Sequence, residues 1–267
     1  MRATAPRWSV AAPSATERGA GRRPTERPRS KLHFARLAVA LAVAFAAHPV
    51  AAAPTQAASQ TLRVLLVGNS YTYTNDGIDV VLGKLAPQAK VDRIAVGGYR
   101  LEQFASEGKV RDALGSKHYD VVVLQEQSQT PVVFTHHFRE GALALDRQIR
   151  AAGAKTALLM TWERPDSARQ GVTTANLAAA YKGMGAEIGA AVAPAGLAFA
   201  RALRERPNLA LASDDGHPTP QGTYLAACVL YATLFGASPV GNAYADSHVS
   251  ADERTFLQRI AAETTGR

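Results

Sequence analysis

The sequence predicts an α/β domain: a three-layer α/β/α sandwich around a mainly parallel, five-stranded, flavodoxin-like sheet. Three observations carry that expectation. Short apolar runs of four to six residues recur along the chain and end at Gly or polar turns, as strands buried on both faces do. Segments with apolar residues at helical spacing lie between them, and strands alternating with helices imply right-handed crossovers and parallel pairing. The composition, 47% hydrophobic and only 7% aromatic among 267 residues, supplies a core suited to helices packed on a sheet.

The elements follow in order. Residues 62–67 form the first apolar run, stopped by Gly68, and a polar turn follows with Asn69, Ser70, Asn75, Asp76 and Gly77. Ile78, Val81, Leu82 and Leu85 then recur at helical spacing until Pro87. Residues 91–96 make a second strand closed by Gly97 and Gly98, and 101–114 read as one or two short helices. Strands are expected at 121–124, at 156–161 and at 193–197, with helices over 137–152, 173–191, 219–235 and 251–262. In such sheets chemistry collects in the loops at the carboxyl ends of the strands.

Charge divides the chain unevenly. Residues 1–53 hold nine Lys/Arg against Glu17 and Glu26, leaving 21 basic against 20 acidic residues in the remainder, so the formal +8 belongs almost wholly to the leader. The folded part therefore has no electrostatic footprint for nucleic acid. The leader runs into an apolar stretch at 37–47 and then small residues around Val50 to Ala53, the order of a secretory signal peptide. Eleven apolar residues are too few for a stable membrane anchor. Cleavage is expected after Ala52, with Ala53 or Pro54 as the new terminus. The expected division is a leader at 1–53, a linker at 54–61 and one domain at 62–263, periplasmic or secreted, and monomeric. Cys228 is the sole cysteine, so no disulfide forms within the chain.

Ser70 stands where the first strand empties onto the carboxyl edge of the sheet, and Ser213-Asp214-Asp215-Gly216-His217-Pro218 precedes a helix far downstream. A serine hydroxyl becomes a nucleophile when an imidazole takes its proton and a carboxylate holds that imidazole in one tautomer. The bland readings are a turn serine and a loop histidine beside helix-capping aspartates. Thr72 breaks any Gly-x-Ser-x-Gly elbow, and no phosphate loop or dinucleotide fingerprint is present. His136 and Glu140, one helical turn apart, lack further ligands at a suggestive spacing, so no metal is expected. Trp162, Glu163 and Arg164 follow the fourth strand and are candidates for shaping a pocket.

Taken in order, the blocks Gly68-Asn69-Ser70-Tyr71-Thr72, Gly97-Gly98, Leu124-Gln125-Glu126-Gln127-Ser128 and Asp215-Gly216-His217-Pro218 with Gly222-Thr223-Tyr224-Leu225-Ala226-Ala227 resemble the SGNH (GDSL-like) hydrolase superfamily, in a divergent bacterial branch, over residues 62–236. The resemblance implies an esterase without cofactor. Ser70 would be the nucleophile and His217 the base, with Asp214 the carboxylate of the Asp-x-x-His pair. Ser70, Gly98 and Gln127 would form the oxyanion hole. Gln127 stands where the superfamily has Asn, with Gln125 as fallback donor, and Asn69 stands where Asp is usual. The implied substrate is a glycan or small-molecule ester, O-acetyl carbohydrate foremost. Lipid esters, an acetyltransferase and a non-catalytic carbohydrate-binding domain are the alternatives.

Overall fold

The computed structural model describes residues 61–267; the expected leader and the linker up to residue 60 lie outside them. Five parallel strands, β1 (Arg63–Gly68), β2 (Lys90–Ala95), β3 (Val121–Leu124), β4 (Lys155–Leu159) and β5 (Ala191–Ala193), stand in the order β2-β1-β3-β4-β5. Val64 is in register with both Val91 and Val121. This is the doubly wound arrangement anticipated from the alternation of elements.

The helices are α1 (Ser70–Tyr73), α2 (Ile78–Leu85), α3 (Leu101–Glu107), α4 (Lys109–Ser116), α5 (Thr130–Val133), α6 (Thr135–Ala151), α7 (Thr174–Ile188), α8 (Ala195–Glu205), α9 (Pro220–Phe235) and α10 (Ala251–Thr265). Side chains alternate across a strand, so each strand feeds two cores. Val64, Leu66, Val123 and Leu159 pack with α2, α8, α9 and α10. Leu65, Val67, Val122 and Leu158 pack with α3, α4, α6 and α7. α9 is apolar all round and accordingly buried from Thr223 to Leu230, Cys228 included. Thr219 caps its start by accepting from Gly222 N, with Pro220 at the first helical position.

Two local expectations are corrected, and one that was left open is decided. The fifth strand ends at Ala193 rather than spanning 193–197, because Pro194 closes it and α8 begins at once. Ala195, Ala198, Phe199 and Ala202 are buried at helical spacing along α8, a pattern that the strand reading overlooked. The helix expected over 173–191 stops at Ile188, where Gly189 takes the left-handed conformation of a C-terminal cap. The segment 101–114 is two helices, divided at Gly108 with φ +80°. Among the described residues no helix is long and apolar enough to cross a membrane.

The strand order turns back at β1, which lies between β2 and β3. The crevice outside the carboxyl ends of β1 and β3 is therefore the topological switch point, where ligands of such sheets bind.

Candidate active site

β1 delivers the chain to Asn69, whose side chain caps α1 by accepting from Tyr71 N (3.2 Å). Ser70 is thus the first residue of a one-turn helix, where backbone N–H groups have no partner within the helix. The turn leaves no room for a side chain at Gly68, since a Cβ there would lie 2.3 Å from Thr72 Oγ1 and 2.5 Å from Gln125 Oε1. Gln125 is buried and fully engaged. Its oxygen accepts from Asn69 N (2.9 Å) and Thr72 Oγ1 (2.7 Å), and its amide donates to Asn69 Oδ1 and to the Glu126 carbonyl. Asn69 Nδ2 in turn donates to Tyr99 O (3.0 Å), tying the Gly97-Gly98 loop to the serine turn.

His217 arrives from the opposite end of the sequence. Its Nε2 stands 2.8 Å from Ser70 Oγ, and its Nδ1 stands 2.8 Å from Asp215 Oδ2. The carboxylate beside the imidazole is therefore Asp215, not Asp214. The reason is the turn: Gly216 N donates to Ser213 O, and Ser213 N donates to His217 O. This closure, with Gly216 at φ +87°, puts Asp214 at an exposed corner. Among the described residues Asp214 makes no side-chain hydrogen bond, whereas Asp215 Oδ1 also accepts from Ser213 Oγ (2.6 Å) and His217 N (3.2 Å). The Ser213 hydroxyl, the His217 N–H and the imidazole hold the Asp215 carboxyl well below the usual carboxylate range.

A cavity of about 230 Å³ opens over this relay, lined by Ser70, Gly98, Gln127, Arg164 and His217 among others. Gly98, at φ +73°, lines this cavity, and nothing stands within 4 Å of where its Cβ would be. Gln127 Oε1 accepts from Gln129 N (2.9 Å), Thr130 N (3.1 Å) and Thr130 Oγ1 (3.0 Å). Two backbone donors identify that atom as the oxygen. Its NH2, without a partner among the described residues, remains for the cavity. Gln125 has no such freedom, because both ends of its amide are spent on the serine turn.

Between the two amides lies Glu126, fully buried, accepting from Gln127 N (2.6 Å) and from Leu101 N at the start of α3. Burial pushes its carboxyl up to about 8 against those two hydrogen bonds. On the other wall, Tyr71 stacks on Trp162 at 4.8 Å and meets His217 edge-on, while Trp162 stacks on Phe199 at 4.2 Å. Trp162 Nε1 donates to Gly216 O (3.0 Å), which braces the histidine turn against β4. Asp215, Tyr71 and the scaffolding role of Gln125 were not read from sequence. Each stands in one of the blocks quoted from the sequence, but a block position does not say which neighbouring side chain meets a distant partner.

No protein-family model matches the chain, and no curated protein matches its sequence. Solved structures do match. A presumed SGNH hydrolase from Slackia heliotrinireducens is 28% identical with a TM-score of 0.58, over 65% of this chain and 99% of that one. A DUF4886 family protein from Bacteroides uniformis is 16% identical with a TM-score of 0.59, over 76% of this chain and 94% of that one. A presumed GDSL-like lipase from Parabacteroides merdae is 15% identical with a TM-score of 0.53, over 64% and 94%. The latter two likenesses speak for the fold alone.

Proposed function

We propose that this chain, built on the fold of the SGNH hydrolases, is an exported serine esterase that cleaves short-chain carboxylic esters through an acyl-enzyme. One observation carries the reading: the unbroken contact from Asp215 through His217 to Ser70, at 2.8 Å for each step, at the carboxyl edge of a parallel sheet. A carboxylate on Nδ1 leaves Nε2 as the basic atom facing the serine. Ser70 Oγ attacks the ester carbonyl as His217 Nε2 takes its proton. The tetrahedral oxyanion meets the N–H groups of Ser70 and Gly98 and the amide of Gln127. His217 then gives its proton to the departing alcohol, and water repeats the sequence on the acyl-serine.

The cavity of about 230 Å³ is small beside the roughly 300–1,000 Å³ of sites for drug-sized ligands, which favours a small acyl group over a fatty chain. With the leader at residues 1–53, this points to O-acetyl groups on extracellular or cell-wall carbohydrate. The full-length chain should label at Ser70 with a fluorophosphonate and turn over p-nitrophenyl acetate. Failure of both would leave a carbohydrate-binding domain without catalysis. Acetylated glycans should then outperform long-chain lipid esters, and an excess of acceptor alcohol would expose any acetyl transfer. Export itself is tested by terminal sequencing of protein from the cell exterior or periplasm, which should begin near Ala53 or Pro54. A full-length chain confined to the cytosol would refute it.

A further inference from the structure

We propose that Arg164 selects the substrate of this site by holding a carboxylate carried on the ester. The inference rests on the esterase reading and deepens it. Arg164 lines the catalytic cavity with Ser70 and His217, and it also lines a neighbouring cavity of about 350 Å³ walled by Phe199, Leu203, Leu209 and Leu211. It is the residue common to the two. Its side chain keeps 24% of its exposure, yet Nε is shut off from water without a hydrogen-bond partner. No guanidinium nitrogen of Arg164 donates a hydrogen bond among the described residues.

Each nearby carboxylate is engaged elsewhere or too distant. Glu163 turns to the start of α7, where it accepts from Thr174 N (2.6 Å) and Thr174 Oγ1 (2.9 Å). Asp166, 61% exposed, comes no closer than 3.8 Å to Nε, beyond hydrogen-bond reach. Asp215 is committed to Ser213 and His217. The Tyr71 hydroxyl lies beside the Arg164 stem over Gly216, with the Ser128 side chain as its nearest polar neighbour but no hydrogen bond of good geometry.

The arginine is nonetheless held. Ser167 Oγ accepts from Arg164 N (3.1 Å), and the same hydroxyl lies against Arg164 O and Val172 O. The stem crosses Gly216 so closely that a Cβ there would lie 2.5 Å from Arg164 Cγ. A guanidinium placed to brace the fold would spend its donors on carbonyls or carboxylates. This one is fixed by its backbone and stem, and its only ion pair among the described residues is the long one to exposed Asp166, so its hydrogen-bond donors stay unused. A carboxylate matches the planar fork of a guanidinium and can take the place of water on the terminal nitrogens, the part of the group that the 24% exposure leaves within reach.

The test compares kcat/KM within two ester pairs, using the full-length chain. p-Nitrophenyl acetate is set against mono-p-nitrophenyl succinate for an acid on the acyl side. Methyl 4-acetoxybenzoate is set against 4-acetoxybenzoate for an acid on the alcohol side. In at least one pair the anionic ester should win by about tenfold or more, as a charged hydrogen bond of this kind allows. The preference should shrink with salt. Arg164→Gln should bring that ratio close to one, mainly through KM of the anionic ester, and Arg164→Lys should fall between. Because the ratio is taken within each variant, a partly folded preparation cancels. Labelling by fluorophosphonate with no preference in either pair overturns the proposal and leaves the esterase reading standing, as does an unchanged ratio in Arg164→Gln. If nothing labels or turns over, the esterase reading fails. Calorimetric binding of 4-acetamidobenzoate, retained by the unaltered chain and lost in Arg164→Gln, then decides for Arg164, and equal binding decides against it.

Discussion

The two turns that meet over the cavity differ in how they are held. The serine turn is interior: Asn69, Thr72 and Gln125 are each 2% exposed or less, and its hydrogen bonds run to β3 and to the Gly97-Gly98 loop. The histidine turn is a surface hairpin whose Ser213, Asp214 and Asp215 are all exposed, closed by bonds among its own residues and braced from below by Trp162. The sheet fixes the nucleophile, while local turn geometry aims the base. Damage to the first turn should therefore cost stability and activity together, and damage to the second should cost activity with little loss of stability.

The largest expected effect falls on the atoms that both turns contribute. Ser70→Ala and His217→Ala should each lower kcat by about 10³-fold or more, since members of such a unit fail together. Comparable activity in either purified, folded variant would remove the assignment. Next comes the pair of aspartates. Asp215→Asn should cost on the order of 10²- to 10⁴-fold in kcat, and Asp214→Asn should stay within about threefold. Neither should move the thermal midpoint much, and the reverse order of activities would mean that the hairpin rearranges in the working enzyme.

The two glutamines sharpen the contrast. Gln127→Ala should lower kcat roughly 10²-fold with KM little changed, as for other lost oxyanion donors. Gln125→Ala should instead strip the acceptor from Asn69 N and Thr72 Oγ1 and destabilise the fold by about 2 kcal/mol, read by denaturant unfolding. A Gln125→Ala chain of normal stability and collapsed activity would exchange the two roles.

The last expectation concerns Glu126 and touches stability alone. Its carboxyl is raised from the ordinary 4.5 to about 8 by burial, so the folded chain binds a proton that the unfolded chain has released between those values. Its contribution to stability is greatest below the unfolded value, falls as pH rises through that window and levels off above about 8. Glu126→Gln, which cannot titrate, should flatten this part of the profile when thermal midpoints are compared from pH 5 to 9. Parallel curves for the two proteins would show that the carboxyl does not titrate there.

The sequence by itself determined the layered α/β architecture and the places where Ser70, His217, Gly98 and Gln127 stand. Those features depend on periodicity, on where apolar runs stop, and on short blocks read against a known family. Only the tertiary structure decided which aspartate meets the imidazole and which glutamine faces the cavity. Asp214 and Asp215 are chemically identical neighbours, and the difference between them is the positive φ of Gly216 and the Ser213 bonds that close the hairpin. Gln125 and Gln127 lie on one segment, and a buried turn from a distant strand uses up the first amide while leaving the second half free. Likewise α8 escaped notice because Ala-rich sequence is ambiguous until tertiary packing shows which residues are buried, here Ala195, Ala198, Phe199 and Ala202 at helical spacing. Propensity and spacing are local quantities, whereas the choice between two equal side chains is made by which of them finds a partner from elsewhere in the chain.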